Sequence, residues 1–180
     1  KQLFDLVLRR EAERPNEIWQ ADHTELDLLV LDEDGKPARP WLTVVLDDFS
    51  RAVAGYFITL DAPSAIGTSL ALRQAICPKL DPRWTVCGIP DQFYTDHGSD
   101  FTSNHLEQVS AELKMSTIFS TIGQPRGRGK QERFFQTVNQ LFLSELPGYL
   151  TNGARTPKPT LTPEELDKSF CNWLLDDYME

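Results

Sequence analysis

A chain of 180 residues, 40% hydrophobic and 25% charged, is long enough for one compact domain with its own core, and none of its apolar runs approaches the ~20 residues that span a bilayer. The net charge of −9 argues against a generic nucleic-acid-binding module, which is usually basic, and it predicts weak DNA affinity for this chain alone. Cys77, Cys87 and Cys171 are odd in number and lack CxxC spacing, which speaks against a disulfide framework or a zinc ribbon and fits a reducing cytoplasm. No secretory pattern opens the sequence, and the missing initiator Met suggests a fragment of a longer polypeptide.

Residues 1–14, rich in Leu, Arg and Glu, read as a linker helix that ends before Pro15. Glu17 to Leu31 reads as a strand, and the cluster Asp32 to Pro37 as a turn. The short apolar run Trp41 to Leu46 suits a buried central strand. Asp47-Asp48-Phe49-Ser50 turns the chain into a third strand, Ala52 to Leu60, so three successive strands with short links predict an antiparallel meander. A helix follows, with Ser64 as N-cap, Ile66, Leu70, Leu72 and Ile76 as its apolar face, and Pro78 as its end. Asp91 to Thr95 is a short strand. Ser103 or Asn104 starts a helix through Lys114, and Ser116 to Ser120 is another strand. After the loop Gly123 to Gly129 a long helix runs from Lys130 to Leu146, with Phe134, Phe135, Val138, Leu141 and Phe142 facing inward. Pro147 and Gly148 stop it. A Pro/Thr-rich connector leads to a last helix with Thr162 as cap, Pro163 at its first position and Glu165 closing a capping box. The expected architecture is α/β: a mixed five-stranded sheet, its first three strands antiparallel, flanked by helices, with the main domain over residues 15–150 and a connector and helix over 151–180.

Phosphodiester cleavage by two metal ions needs carboxylates converging from separate rigid elements on ions ~3.5–4 Å apart. Asp22 lies in the first strand, in Trp19-Gln20-Ala21-Asp22-His23-Thr24. Asp96 ends the fourth strand, and Glu132 stands in the first turn of the long helix. If the first and fourth strands are neighbours, both aspartates can project from one face of the sheet, and the helix brings Glu132 over them. The W-x-x-D-x-T opening (Trp19, Asp22, Thr24), the block Thr95-Asp96-His97-Gly98-Ser99-Asp100-Phe101-Thr102-Ser103 and the helix start Gly127-Arg128-Gly129-Lys130-Gln131-Glu132-Arg133 resemble the D,D-35-E signature of the retroviral integrase catalytic-core superfamily, with 35 residues between Asp96 and Glu132. The longer spacing from Asp22 to Asp96 favours the Mu-like bacterial DDE transposase branch, and His97 stands where members of the family often have Asn.

That resemblance implies an RNase H-like fold and an endonuclease that cleaves DNA 3′ ends and transfers them into target DNA. Asp22, Asp96 and Glu132 would hold two Mg²⁺ ions, with Mn²⁺ as substitute. The implied partners are transposon ends and target DNA, other domains of the parent transposase, further copies in an oligomer on DNA, and a helper ATPase. Arg126, Arg128, Lys130 and Arg133 form the clearest concentration of positive charge, beside Glu132, as expected of phosphate contacts. Gln136 and Asn139 lie one and two turns beyond Glu132 on its helix face and are expected to meet DNA. His97 and Asp100 are candidates for a supporting role around the acids. His23, by strand parity, points away from them, as do Glu25 and Asp27. Two other readings remain open at this point: an RNase H-like structure-specific nuclease, and a non-catalytic module of a transposition assembly.

Overall fold

The computed structural model describes residues 11–95, 104–119, 129–150 and 158–180, with the backbone alone at 104–106 and 119. The main sheet contains β1 (Ile18–Glu25), β4 (Trp41–Asp47), β5 (Val53–Thr59), β6 (Gln92–Thr95) and β7 (Ser116–Phe119), in the order β5-β4-β1-β6-β7. β1, β4 and β5 form the antiparallel meander, while β6 runs parallel to β1 and β7 parallel to β6. The sheet is therefore mixed, as the order of elements predicts.

The stretch expected as one strand from Glu17 to Leu31 is two. β1 ends at Glu25, and β2 (Val30–Leu31) pairs with β3 (Pro37–Ala38) in a separate two-stranded sheet. The Leu31 N–H also donates to the Leu161 carbonyl, the Leu29 N–H to Gly148 and the Leu150 N–H to Asp27. Backbone groups of Asp27, Leu29 and Leu31 thus find partners in the C-terminal part of the chain rather than in the main sheet. Residues 11–14 carry no helix, and the rest of the expected linker helix lies outside the described residues.

Strand alternation divides the core into two layers. On one face Leu42, Val44, Leu46 and Tyr56 pack with Phe134, Val138 and Phe142 and with Leu166, Phe170 and Leu174. On the other, Trp19, Ala21, Val45, Ala54 and Phe93 pack with Ala71, Leu72 and Ala75 of α1 (Ala65–Ile76) and with Met115, which follows α2 (Asn104–Glu112).

The buried side of α1 is small: Gly67, Thr68, Ala71, Leu72 and Ala75. Ser64 caps the helix by accepting from the Gly67 N–H, as expected. The expected apolar face is corrected, because Ile66 and Leu70 point outward, 71% and 39% exposed. The reason lies on β5. A Cβ on Gly55 would fall 2.4 Å from the Ala71 carbonyl oxygen and 2.6 Å from the Ala75 nitrogen, so strand and helix backbones touch where larger side chains cannot fit.

The long C-terminal helix keeps its span but changes pitch. α3 (Gly129–Thr137) widens into a π-turn (Val138–Phe142) and tightens into a 3₁₀ turn (Leu143–Glu145). The change of register buries Leu143 and leaves Leu141 63% exposed, which corrects its expected inward position. α4 (Pro163–Trp173) starts with the expected capping box: the Glu165 N–H donates to Thr162 Oγ1 and the Thr162 N–H to Glu165 Oε2. It runs on into a second π-turn (Leu174–Tyr178), and Leu166, Phe170 and Leu174 seal the first core layer. Between α1 and β6, the Lys79 ammonium donates to the Ala75 and Val86 carbonyls and lies 5.1 Å over the Trp84 ring.

Candidate active site

β1 supplies the first acid. Asp22 pairs in register with Val44 of β4, so its side chain shares the Val44 side of the sheet, the side covered by α3. Gln20 lies two residues earlier on the same side and Thr24 two residues later. His23 points to the opposite side, where its ring meets Trp41 edge-on at 6.1 Å, as strand parity predicts.

Glu132 stands in the first turn of α3, exposed. It faces an open groove of about 500 Å³, lined on the β1 side by Thr24, Glu25, Leu26 and Asp27 and on the helix side by Phe135, Gln136, Asn139 and Gln140. Glu132 thus shares this groove with the end of β1 from Thr24 onward, and Asp22 lies two residues earlier on the same side of that strand. Asp96, the third acid, follows the last described residue of β6 in sequence. It lies outside the described residues, as do His97, Asp100, Arg126 and Arg128. Among the described residues no group of three or more metal-ligating side chains is assembled. Asp22 and Glu132 offer hard carboxylate oxygens on a strand and a helix that share one sheet face, a donor set suited to magnesium.

Glu25 and Asp27 also line this groove; Glu25, paired with Trp41, keeps the strand side opposite Asp22, as parity predicts, and borders the groove at the end of β1. Asp27 lies beyond the end of β1, where alternation no longer applies. Arg39 joins the two acids, at 2.7 Å from Glu25 and 2.8 Å from Asp27, and its Nε donates to the Leu26 carbonyl. Asp27 also accepts from Asn139 Nδ2 at 2.7 Å, and the Tyr149 hydroxyl donates to Asn139 Oδ1. Of the four described residues expected at DNA, Arg133 and Gln136 are exposed, whereas Asn139 and Lys130 are bonded within the protein.

Lys130 reaches Asp48, a residue that sequence reasoning assigned to a turn. The Lys130 ammonium lies 2.6 Å from Asp48 Oδ2 and donates to the Asp48 carbonyl at 3.1 Å. The Asp48 carboxylate, 1% exposed, also accepts from Gln20 Nε2 at 2.6 Å and from the Ala12 N–H at 2.9 Å. Asp48 lies in the turn, as expected, and its neighbour Asp47, the last residue of β4, closes that turn by accepting from the N–H and hydroxyl of Ser50, and also accepts from the Asn16 N–H. Nothing in the local sequence separates these two adjacent aspartates. Partners 28, 36 and 82 residues away do.

The sequence profile of the TnsB C-terminal domain matches residues 20–148. The chain belongs to that family. It is 56% identical over 175 residues to the transposase for transposon Tn552 of Staphylococcus aureus, and 26% identical over 174 residues to the Tn7 transposition protein TnsB of Escherichia coli. These alignments cover 97% and 89% of the chain but only 36% and 24% of the two relatives, so the chain spans about a third or less of their lengths. Its fold is that of retroviral integrase cores. The HTLV-2 integrase catalytic core domain, solved in complex with magnesium, superposes with a TM-score of 0.55 at 22% identity over 89% of this chain and 84% of that one. A chain of the simian T-cell lymphotropic virus intasome superposes with a TM-score of 0.61 at 20% identity over 91% of this chain and 50% of that one. The span matched to the TnsB C-terminal domain takes in Asp22, Asp96 and Glu132 and ends before α4. The α4 side chains are nevertheless part of the same core.

Proposed function

We propose that this chain is the catalytic core of a DDE transposase, in which Asp22, Asp96 and Glu132 hold two divalent ions and the protein cleaves a DNA 3′ end and joins it to target DNA. The observation that carries the reading is that Glu132, in the first turn of α3, shares a groove with Thr24 to Asp27 at the end of β1, while Asp22 lies two residues before Thr24 on the strand side that α3 covers. It stands in a chain of the TnsB C-terminal domain family, in the fold of integrase cores. Its relatives from Staphylococcus aureus and Escherichia coli are named for transposition.

The protein's part is chiefly geometric. β1 is buried between β4 and β6, so Asp22 is held on a rigid frame. Bound magnesium would supply Lewis acidity and orientation of the attacking and leaving oxygens. The groove beside Glu132 offers a path for DNA along the exposed Gln136, with Arg133 as phosphate partner and Arg126 and Arg128 as further ones. The net charge of −9 assigns most of the DNA affinity to other parts of a longer parent.

The test is strand transfer with Glu132→Gln in the full-length parent protein, in magnesium and in manganese. Loss of one ligand removes several kcal/mol of charge stabilisation, or ~10²–10³-fold in rate. Joining at the wild-type rate would end the assignment, and cutting without joining in the wild type would move it to a structure-specific nuclease.

A further inference from the structure

Asp48 is a buried carboxylate outside the groove, and no step above uses it. It is the meeting point of three segments distant in sequence. It accepts from Ala12 in the incoming chain, from Gln20 on β1, and from Lys130 at the start of α3. A carboxylate with such small exposure is costly unless it is paired and hydrogen-bonded, and here both oxygens are engaged. Lys130 is two residues before Glu132, and its side chain is only 21% exposed. Its ammonium is directed at Asp48 rather than at the groove. Gln20, the partner of Asp48 on β1, lies on the same side of that strand as Asp22, two residues away. One buried carboxylate therefore ties the helix turn that carries one acid to the strand that carries another.

We propose that Asp48 is a positioning residue for Glu132, acting through Lys130: it fixes the first turn of α3 against β1. Lys130 is thereby an internal strut and not a phosphate ligand. The positional claim stands on the geometry alone, while its consequence for the reaction rests on the strand-transfer reading. A small misplacement of a ligand far from the chemistry can cost ~10²-fold in rate, so the strut is worth having even though it binds nothing.

Hydrogen exchange on the 180-residue chain tests the position, and strand transfer by the full-length parent tests the consequence. Asp48→Asn is expected to speed exchange of the amides at 130–135 about tenfold or more while those of α4 keep their rates. In the parent it slows joining ~10- to 100-fold and raises the Mn²⁺ concentration for half-maximal rate, with DNA affinity unchanged. Lys130→Arg retains most of the rate. Lys130→Gln leaves the buried Asp48 carboxylate with Arg51, 3.6 Å from its Oδ1, as its remaining cation and risks unfolding, so Asp48→Asn/Lys130→Gln is compared with it, and the double variant should be no worse than the poorer single one. The proposal is overturned if exchange rises evenly over the whole chain. It is overturned equally if Lys130→Gln lowers DNA affinity and its salt slope by about one while Asp48→Asn is silent. A local rise in exchange at 130–135, in a parent whose Glu132→Gln variant still joins strands, would uphold the strut and sink the strand-transfer reading instead.

Discussion

Asn139 donates its side-chain amide to Asp27 across 2.7 Å, tying the π-turn that follows the Glu132 helix to the link between β1 and β2. The Tyr149 hydroxyl donates to the same Asn139, and Arg39 holds the other oxygen of Asp27. The helix that bears Glu132 is thus pinned at both ends, by Lys130 to Asp48 and by Asn139 to Asp27.

Asn139→Ala is expected to cost about 1–2 kcal/mol of stability, because it leaves a half-exposed carboxylate and a tyrosine hydroxyl each short of a partner. Tyr149→Phe should cost about half as much, since it removes one neutral bond. Urea unfolding measures both. Unchanged stability with weakened DNA binding would return Asn139 to the DNA-facing role that its sequence position suggests.

Gly55→Ala is expected to destabilise by about 1–3 kcal/mol, since the new methyl meets α1 backbone atoms that cannot move independently. Gly67→Ala is the contrast. Its Cβ meets side chains alone, the Phe57 ring at 3.2 Å and Ser64 Oγ at 3.7 Å, and a helix favours Ala over Gly by up to ~1 kcal/mol, so the change should be neutral or stabilising. A thermal melt of the pair reads the difference directly.

Phe170→Ala should cost about 3–5 kcal/mol, because its fully buried ring stands edge-on to Tyr56 and Phe142 in the first core layer. Truncation after Leu150 removes α4 altogether and should abolish cooperative unfolding, although the span matched to the TnsB C-terminal domain ends at residue 148. A truncated chain with a sharp transition would mean that the core closes without α4.

Burial pulls the Lys79 ammonium down to about 8. In the unfolded chain the proton stays bound to the ordinary lysine value of ~10.4. Between these two values the unfolded state binds more protons, so stability rises with pH across that window relative to Lys79→Met. Melting temperatures of the two proteins from pH 7.5 to about 10.5 should therefore diverge in favour of the wild type.

Features with local causes were legible in the sequence. Ser64 and the Thr162–Glu165 capping box fix helix starts through bonds three residues long, and both form as the residue types predict. The meander follows from short links between apolar runs. Asp22 and Glu132 are singled out by their motifs, and they lie on a strand and a helix packed on one side of the sheet. What stayed hidden depends on distant partners. The inner face of α1 is decided by a missing side chain on β5, so Ile66 and Leu70 mislead. The role of Asp48 is decided by Lys130, and the position of Asp27 by where β1 stops pairing. Asp96, the remaining acid of the motif, is read from the sequence alone.

β1 is the first of the described strands, yet it occupies the centre of the sheet, with β4 on one edge and β6 on the other. During synthesis β4 and β5 follow it promptly, whereas β6 arrives only after α1 and the loop beyond it, at residue 92. A growing chain therefore carries a half-built sheet whose open edge is the very strand that bears Asp22. Parallel closure of that edge is a non-local and slow event. Until it occurs, the unpaired backbone of β1 is the place where two nascent chains can mispair. A slow-folding variant of this protein should be sought among changes to β6 and α1 rather than in the meander, and its misfolded product should be intermolecular sheet.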